Sequence, residues 1–169
     1  KLFLDHLEQR IVDQFPEIER VSEISAEEFK CKYIDDSKPV ILTDSATEWK
    51  ALKEWNHDFF LDMCGNIQVK QSLYDPKACS DTTVGNVIRK IRDSTDVVYI
   101  QEWWVERDFP EIRDYFSVPE YFLNDWHSKI FEKLPTHLWI GSENAVTPIH
   151  QDGIGINVWT AQISGHKRW

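Results

Sequence analysis

The stretch LWIGSENAVTPIHQDGIGINVWTAQISGHKRW, residues 138–169, decides how this chain folds. Its short apolar runs are broken by glycine and proline, and a Gly-His-Lys-Arg turn lies near its end. The runs predict strands at 136–141, 145–152 and 157–164, and a fourth beginning at Lys167. Short strands joined by tight turns are typical of a small β-barrel or jelly roll. Because residues i and i+2 of a strand face the same side, His150 and Asp152 are expected to converge.

The preceding sequence alternates between helical and extended patterns. Apolar spacing, a Ser-Ala-Glu-Glu capping box and glycine or proline stops predict helices at 2–15, 25–33, 57–64 and 84–91. β-branched runs predict strands at 39–43, 66–73 and 96–101, with a loop at 75–81. The sequence therefore predicts one α+β domain over residues 1–169 with a mainly β core. Residues 1–95 form its helical and strand N-terminal part, and residues 96–169 form the first part of a barrel.

Composition narrows the class of protein. The 169 residues carry a net charge of -10, which argues against direct nucleic-acid binding and is compatible with a basic protein partner. An acidic surface that only maintains solubility is the simpler explanation of the charge. No apolar run approaches the roughly 18 residues of a membrane helix, so no membrane association is expected. Three widely spaced cysteines predict reduced thiols and a cytoplasmic or nuclear location.

His150 and Asp152 provide an imidazole and a carboxylate. These are two of the three ligands of the 2-His-1-carboxylate triad, which holds Fe(II) and leaves positions open for substrate and oxygen. A His-x-Asp pair alone is a weak signal, and a surface hydrogen bond explains it too. Lys167, on a neighbouring predicted strand, could point into the same cavity and hold an acid. Alternatively it is an edge-strand lysine that discourages aggregation.

Three further segments accompany this stretch in a fixed order: KPVILTDSATEWKALKEW at 38–55, VYIQE at 98–102 and VPEYF at 118–122. Together they resemble the JmjC-type, cupin-fold 2-oxoglutarate oxygenases, from about Val21 to Trp169. The resemblance implies a double-stranded β-helix of the jelly-roll or cupin kind, preceded by a helical N-terminal region. The GHKRW turn looks most like the branch known for lysyl hydroxylation of nuclear proteins, whereas TPIHQD is closer to other hydroxylase branches.

The resemblance implies roles for individual residues. His150 and Asp152 match the first two iron ligands. Lys167, Thr147 and Tyr99 match residues that bind the distal carboxylate of 2-oxoglutarate. Two further residues are candidates near the cosubstrate and depart from the usual pattern. Thr160 stands where several members place an asparagine, and Asn157 has an unusual offset.

The implied activity is that of a 2-oxoglutarate-dependent dioxygenase that uses Fe(II), 2-oxoglutarate and O2. It would hydroxylate a side chain of a protein or peptide substrate and release succinate and CO2. An N-methyl-lysine demethylase shares this chemistry, and a non-catalytic cupin-type interaction module is the alternative of another class. Residues 102–135, together with the part of the barrel outside this sequence, are expected to set specificity. Glu102, Glu106 and Asp108 would face a basic residue of the substrate, unless they form only a solvated loop with a few packed aromatics.

The family's third iron ligand is a histidine many residues further along the chain. The sequence ends before such a position, so we expect the third ligand and the C-terminal half of the barrel to lie outside it. A partial sequence, a truncated protein and a degenerate non-catalytic module each explain this. A homodimer formed through C-terminal helices is also an open expectation.

Overall fold

A computed structural model describes residues 17–73, 75–94, 96–123, 136–150, 152 and 156–168, with the backbone alone at 72, 73 and 75–79. The helix predicted at 2–15 lies outside these residues. The chain packs as two compact units, residues 1–47 and 48–169. The organisation predicted from sequence, one domain divided at residue 95, stays a prediction.

The first unit pairs two short strands beside one helix. Strand β1 (Arg20–Val21) and strand β2 (Ile41–Leu42) are parallel. Helix α1 (Ala26–Phe29) begins where the predicted capping box places it, because the Ser25 hydroxyl accepts a hydrogen bond from the Glu28 amide at 3.1 Å. The helix continues as a π-helical turn (Lys30–Ile34). Its buried face consists of Phe29 and Tyr33, whose rings lie 6.0 Å apart.

The second unit is built on a four-stranded antiparallel sheet in the order β4-β3-β5-β6. Its strands are β3 (Gln68–Leu73), β4 (Asp75–Thr83), β5 (Tyr99–Trp104) and β6 (His137–Gly141). The predicted loop at 75–81 was wrong, since these residues form most of β4 and pair with β3 as a hairpin. Their polar composition favours a loop, but the ladder satisfies their backbone groups.

Helices cover one face of this sheet. Helix α2 (Ala51–Glu54) is short, helix α3 (His57–Cys64) follows an Asn56 cap, and helix α4 (Val84–Asp93) follows a Thr83 cap. Helix α5 (Val105–Asp108) and two 3₁₀ turns (Pro110–Tyr115 and Glu120–Phe122) continue the chain after β5. The buried core combines residues of α3, α4, the sheet and the segment after β5: Phe60, Cys64, Val69, Val84, Val87, Ile88, Val98, Ile100, Trp103, Val105, Phe109 and Ile112.

Strand β5 contains a β-bulge that matters for the site. Ile100 pairs with Ile140 and Trp103 pairs with Leu138, so two residues of β5 lie opposite one residue of β6. The extra residue is Glu102, whose φ of 51° is in the left-handed region. Because of the bulge, Ile100 and Trp103 both face the core although they are three positions apart. Tyr99 and Gln101 remain on the opposite face.

The strands predicted at 145–152, at 157–164 and from Lys167 are not observed. At 142–150, 152 and 156–168 the structure shows turns and extended coil without a ladder. A strand needs a ladder partner for its amide and carbonyl groups, and none of the described residues forms a β-ladder with these segments. The mixture of helix and sheet predicted from sequence is present, and the larger sheet is antiparallel. Nowhere in the described ranges is a helix long and apolar enough to span a membrane.

Candidate functional site

The end of strand β6 is fixed to the start of strand β5 by Ser142. Its amide donates to the Val98 carbonyl and its hydroxyl accepts from the Val98 amide, both at 3.0 Å. The Ala145 amide then donates to the Ser142 carbonyl at 3.1 Å, and Asn144 between them has a φ of 65°. This turn reverses the chain and brings the following residues back beside β5.

Tyr99 packs into this reversal. A Cβ on Gly141 would lie 2.9 Å from Cδ2 of Tyr99 and 2.9 Å from Cβ of Ala145. The tyrosine ring therefore fills the space that glycine leaves open. This contact places the Tyr99 ring on the sheet face away from the helices, next to the turn.

Thr147 approaches the same strand two residues further along. The Gln101 side-chain amide donates a hydrogen bond to the Thr147 hydroxyl, with 3.1 Å between Nε2 and Oγ1. Tyr99 and Gln101 lie on one face of β5 because they are two positions apart before the bulge. The structure thus brings two sequence-predicted residues, Tyr99 and Thr147, to the same part of the sheet.

His150 and Asp152 converge, as their spacing predicts, although they lie in coil rather than on a strand. The His150 Nδ1 lies 2.8 Å from the Pro148 carbonyl oxygen, and Nε2 lies 3.4 Å from Oδ1 of Asp152. A carbonyl oxygen can only accept, so Nδ1 donates its proton to Pro148, and Nε2 is the ring nitrogen that faces the Asp152 carboxylate. Both side chains are about half exposed, at 57% and 49%.

This pair fits a divalent metal ion as two of its ligands. A neutral imidazole nitrogen and a carboxylate oxygen suit Fe(II) in the 2-His-1-carboxylate arrangement. Two atoms each about 2.1 Å from one ion lie about 3 Å apart when they subtend a right angle, so the observed separation needs only a small adjustment. Within the described part of the chain, no third His, Cys, Asp or Glu side chain completes a metal-binding group.

The remaining predicted site residues lie in the coil that follows. Asn157 and Thr160 are exposed, and Lys167 is exposed after a bend at 164–165. Trp159 anchors this coil, because its ring stacks on Phe122 at 5.0 Å and meets Trp49 edge-on at 6.2 Å. The roles expected of Asn157, Thr160 and Lys167 stay predictions.

Two carboxylates predicted to face a basic substrate are engaged within the protein. Glu106 pairs with Arg113, and Asp108 accepts from Arg107 at 2.8 Å and from the Trp103 indole at 3.0 Å. The Arg107 guanidinium, together with the indole N–H, holds the pKa of Asp108 below its ordinary range. Each therefore already has a cationic partner nearby, and the role expected of these two carboxylates stays a prediction. Glu102 remains exposed at the bulge.

Sequence reasoning missed Gln101 as a site residue. The available signal was its position two residues after Tyr99, which places both side chains on one face of a strand. Its contact with Thr147 spans 46 residues and depends on the turn at Ser142, which no local pattern encodes.

Comparison with known proteins adds independent information. Residues 25–169 match the family described as the cupin-like domain. An arginine-specific demethylase of Arabidopsis thaliana is 25% identical over 90% of this chain and 30% of its own length. A bifunctional arginine demethylase and lysyl-hydroxylase of Caenorhabditis elegans is 27% identical over 90% of this chain and 40% of its own length.

A 2-oxoglutarate and iron-dependent oxygenase of Gallus gallus is 22% identical over 90% of this chain and 41% of its own length. The chain thus spans between 30% and 41% of the length of these three relatives. The match covers nearly all of residues 1–169 and only part of each relative.

Proposed function

Because this chain belongs to the family of cupin-like domains, of the JmjC type, we propose that it forms part of an Fe(II)- and 2-oxoglutarate-dependent oxygenase. The observation that carries this proposal is the convergence of His150 Nε2 and Asp152 Oδ1 at 3.4 Å, with the histidine ring oriented by Pro148. This arrangement directs Nε2 of the histidine and a carboxylate oxygen to one point. The relatives named as oxygenases and demethylases support the same chemistry.

The proposed fold is a double-stranded β-helix, of which the four-stranded sheet forms one wall. Helices α3 and α4 cover one face of that sheet, and the opposite face carries Tyr99 and Gln101. That opposite face would line the interior of the barrel. In this fold the chain after β6 would deliver Thr147, His150 and Asp152 to the same side.

In this proposal His150 and Asp152 hold the metal ion. The bound Fe(II) supplies O2 activation coupled to oxidative decarboxylation of 2-oxoglutarate, which gives succinate and CO2. The protein's own residues bind and orient the reactants. The Pro148 carbonyl keeps the proton on Nδ1 of His150, which fixes the ring for coordination through Nε2.

The cosubstrate's distal carboxylate requires hydroxyl donors and a cation, because an unpaired charge inside a protein is costly. We assign Thr147 and Tyr99 as the donors and Lys167 as the cation. Thr160 and Asn157 are candidates for further contacts near the cosubstrate. The contact of Thr147 with Gln101, two positions from Tyr99 on the same face of β5, supports this assignment.

The proposed substrate is a side chain of a protein or peptide. The net negative charge of this chain is compatible with a basic substrate. Hydroxylation of a carbon is the primary reaction. The same insertion of oxygen into an N-methyl C–H bond gives a product that loses formaldehyde, so demethylation needs no different metal chemistry. We place the protein in the cytoplasm or nucleus, without direct nucleic-acid binding, and a homodimer is part of the proposal.

The test uses the full-length protein that contains this chain. His150→Ala and Asp152→Ala are compared with Asp62→Ala, which removes an exposed carboxylate of helix α3. We expect both site variants to lose stoichiometric binding of Mn(II), used as a stand-in for iron, and to lower iron-dependent succinate formation at least about 100-fold. Asp62→Ala should retain both.

Wild-type protein that binds neither metal nor 2-oxoglutarate would overturn the proposal. Partner binding that survives Asp152→Ala, in a protein without succinate formation, would instead identify a non-catalytic interaction module.

A further inference from the structure

We propose that Gln101 is a positioning residue for the distal carboxylate of 2-oxoglutarate and acts through the hydroxyl of Thr147. This inference rests on the proposed function. It assigns a role to a side chain that does not itself touch the cosubstrate. The observation behind it is the hydrogen bond from Nε2 of Gln101 to Oγ1 of Thr147, at 3.1 Å.

The direction of this bond determines what the threonine can do. A hydroxyl group has one proton to donate and two lone pairs with which to accept. Because the Gln101 amide donates to one lone pair, the Thr147 proton must point elsewhere. It is then directed toward an acceptor on the open side of the sheet, such as a carboxylate oxygen. An amide in this position therefore converts a freely rotating hydroxyl into an oriented donor.

The β-bulge aims Gln101 at this hydroxyl. Gln101 and Glu102 together lie opposite one residue of β6, and the left-handed φ of Glu102 bends the strand at this point. The residues on either side of the bulge are fixed in the core, since Ile100 is 0% and Trp103 is 4% exposed. The direction of the Gln101 side chain is thus set by packing on the opposite face of the sheet.

The threonine side of the contact is held separately. Ser142 ties the start of the 142–147 segment to Val98 through two 3.0 Å hydrogen bonds. The turn closed by Ala145 and Ser142 returns the chain toward β5. Two independently fixed pieces of backbone therefore meet in the Gln101–Thr147 bond, which is the geometry expected of a pre-organised donor.

The charge of the side chain matters as well as its shape. A glutamate at position 101 could only accept, so it would draw the Thr147 proton toward itself. It would also place a negative charge near the cosubstrate's carboxylate. Methionine has a similar length and volume but cannot donate. Gln101→Met therefore removes the hydrogen-bond donor to Thr147, whereas Gln101→Glu replaces that donor with a charged acceptor.

The experiment measures dissociation constants by calorimetry on the full-length protein loaded with Mn(II), without turnover. The two ligands are 2-oxoglutarate and 2-oxobutanoate, which has the same chelating end and no distal carboxylate. The matched control is Gln68→Met, the same substitution at an exposed position of β3. Because 2-oxobutanoate cannot contact Thr147 through a carboxylate, the ratio of the two constants isolates the proposed role.

We expect Gln101→Met to weaken 2-oxoglutarate binding about 3- to 10-fold, the effect of one hydrogen bond, and to leave 2-oxobutanoate binding within about 2-fold. Gln101→Glu should weaken 2-oxoglutarate binding more than Gln101→Met does. In the Thr147→Val background, Gln101→Met should have no further effect, because the residue acts through Thr147. The control variant should bind both acids as the wild type does.

Four results would overturn the inference. They are unchanged 2-oxoglutarate affinity in Gln101→Met, equal weakening of both acids, wild-type affinity in Gln101→Glu, and additive losses in the double variant. Each leaves the proposed function standing, since the wild-type protein still binds 2-oxoglutarate. Failure of the wild type to bind 2-oxoglutarate in the presence of Mn(II) is a distinct result and overturns both proposals.

Discussion

Replacing Gly85 with alanine should destabilise the second unit, because two glycines bring helices α3 and α4 together. The Gly85 amide donates to the Gly65 carbonyl at 2.9 Å, which joins the end of α3 to the start of α4. A Cβ added at Gly85 would lie 2.8 Å from that carbonyl oxygen and 3.3 Å from the Gly65 Cα. Both neighbours are backbone atoms, so a rotamer change cannot relieve the clash.

The expected magnitude combines opposing effects. Relief of the clash requires α3 and α4 to separate, and overpacking of this kind costs about 1–3 kcal/mol. Weakening the hydrogen bond to Gly65 adds about 0.5–1.5 kcal/mol. Alanine recovers about 1 kcal/mol because it favours the helix more than glycine does. We therefore expect Gly85→Ala to lower the free energy of unfolding by about 0.5–3.5 kcal/mol.

The assay is urea denaturation followed by tryptophan fluorescence, which reports on the buried Trp103. Met63→Ala, at a half-exposed position of α3, is the control and should change the free energy by less than about 0.5 kcal/mol. A Gly85→Ala protein as stable as the wild type would refute the reasoning. It would mean that the helix termini adjust without cost and that glycine is not required at their contact.

Two further predictions concern titratable groups. Burial raises the pKa of the Cys64 thiol to about 11. Iodoacetamide at pH 8 should therefore modify the exposed Cys31 and spare Cys64 until urea unfolds the protein. Peptide mass mapping measures the labelling of each cysteine, and equal labelling of both in native protein would contradict the prediction. The lowered pKa of Asp108 beside Arg107 gives a stability contribution that is complete above about pH 4 and is lost as the pH falls through the lowered pKa. Asp108→Asn should therefore flatten the loss of stability below about pH 4 in urea titrations, and an unchanged slope would refute the assignment.

Helix boundaries were the most predictable part of the fold. The predicted helix at 57–64 agrees with α3 as observed, because Asn56 accepts from the Phe59 amide at 3.0 Å and Gly65 follows the last turn. The helix predicted at 84–91 agrees with α4 to within two residues. In both cases the signals are local, since a capping side chain and an apolar stripe lie within one segment.

Pairing between distant segments was less predictable. Strand β4 has a polar sequence and exists because β3 supplies its hydrogen-bond partners, and β1 is only two residues long. The bulge at Glu102 depends on which residues of β5 and β6 the core holds together. These features follow from tertiary contacts, which override the weak local preferences of such segments.

The candidate site shows the same division. The spacing of His150 and Asp152 was sufficient to predict that they converge, although the strand expected to carry them is not observed. The orientation of the histidine by Pro148 and the contact of Gln101 with Thr147 required the folded chain. The roles of these residues as iron and cosubstrate ligands stay predictions.

The bulge in β5 also has a consequence for the history of this strand. Ile100 before the bulge and Trp103 after it must both face the core. A regular strand would place both residues inward if it were one residue shorter between them. Loss of Glu102 would therefore preserve the inside and outside pattern of the flanking residues. We expect homologous sequences to differ by a one-residue gap at this position more often than elsewhere in the strand. A left-handed backbone restricts the residue type at position 102, and homologues that lack the extra residue should be free of this restriction.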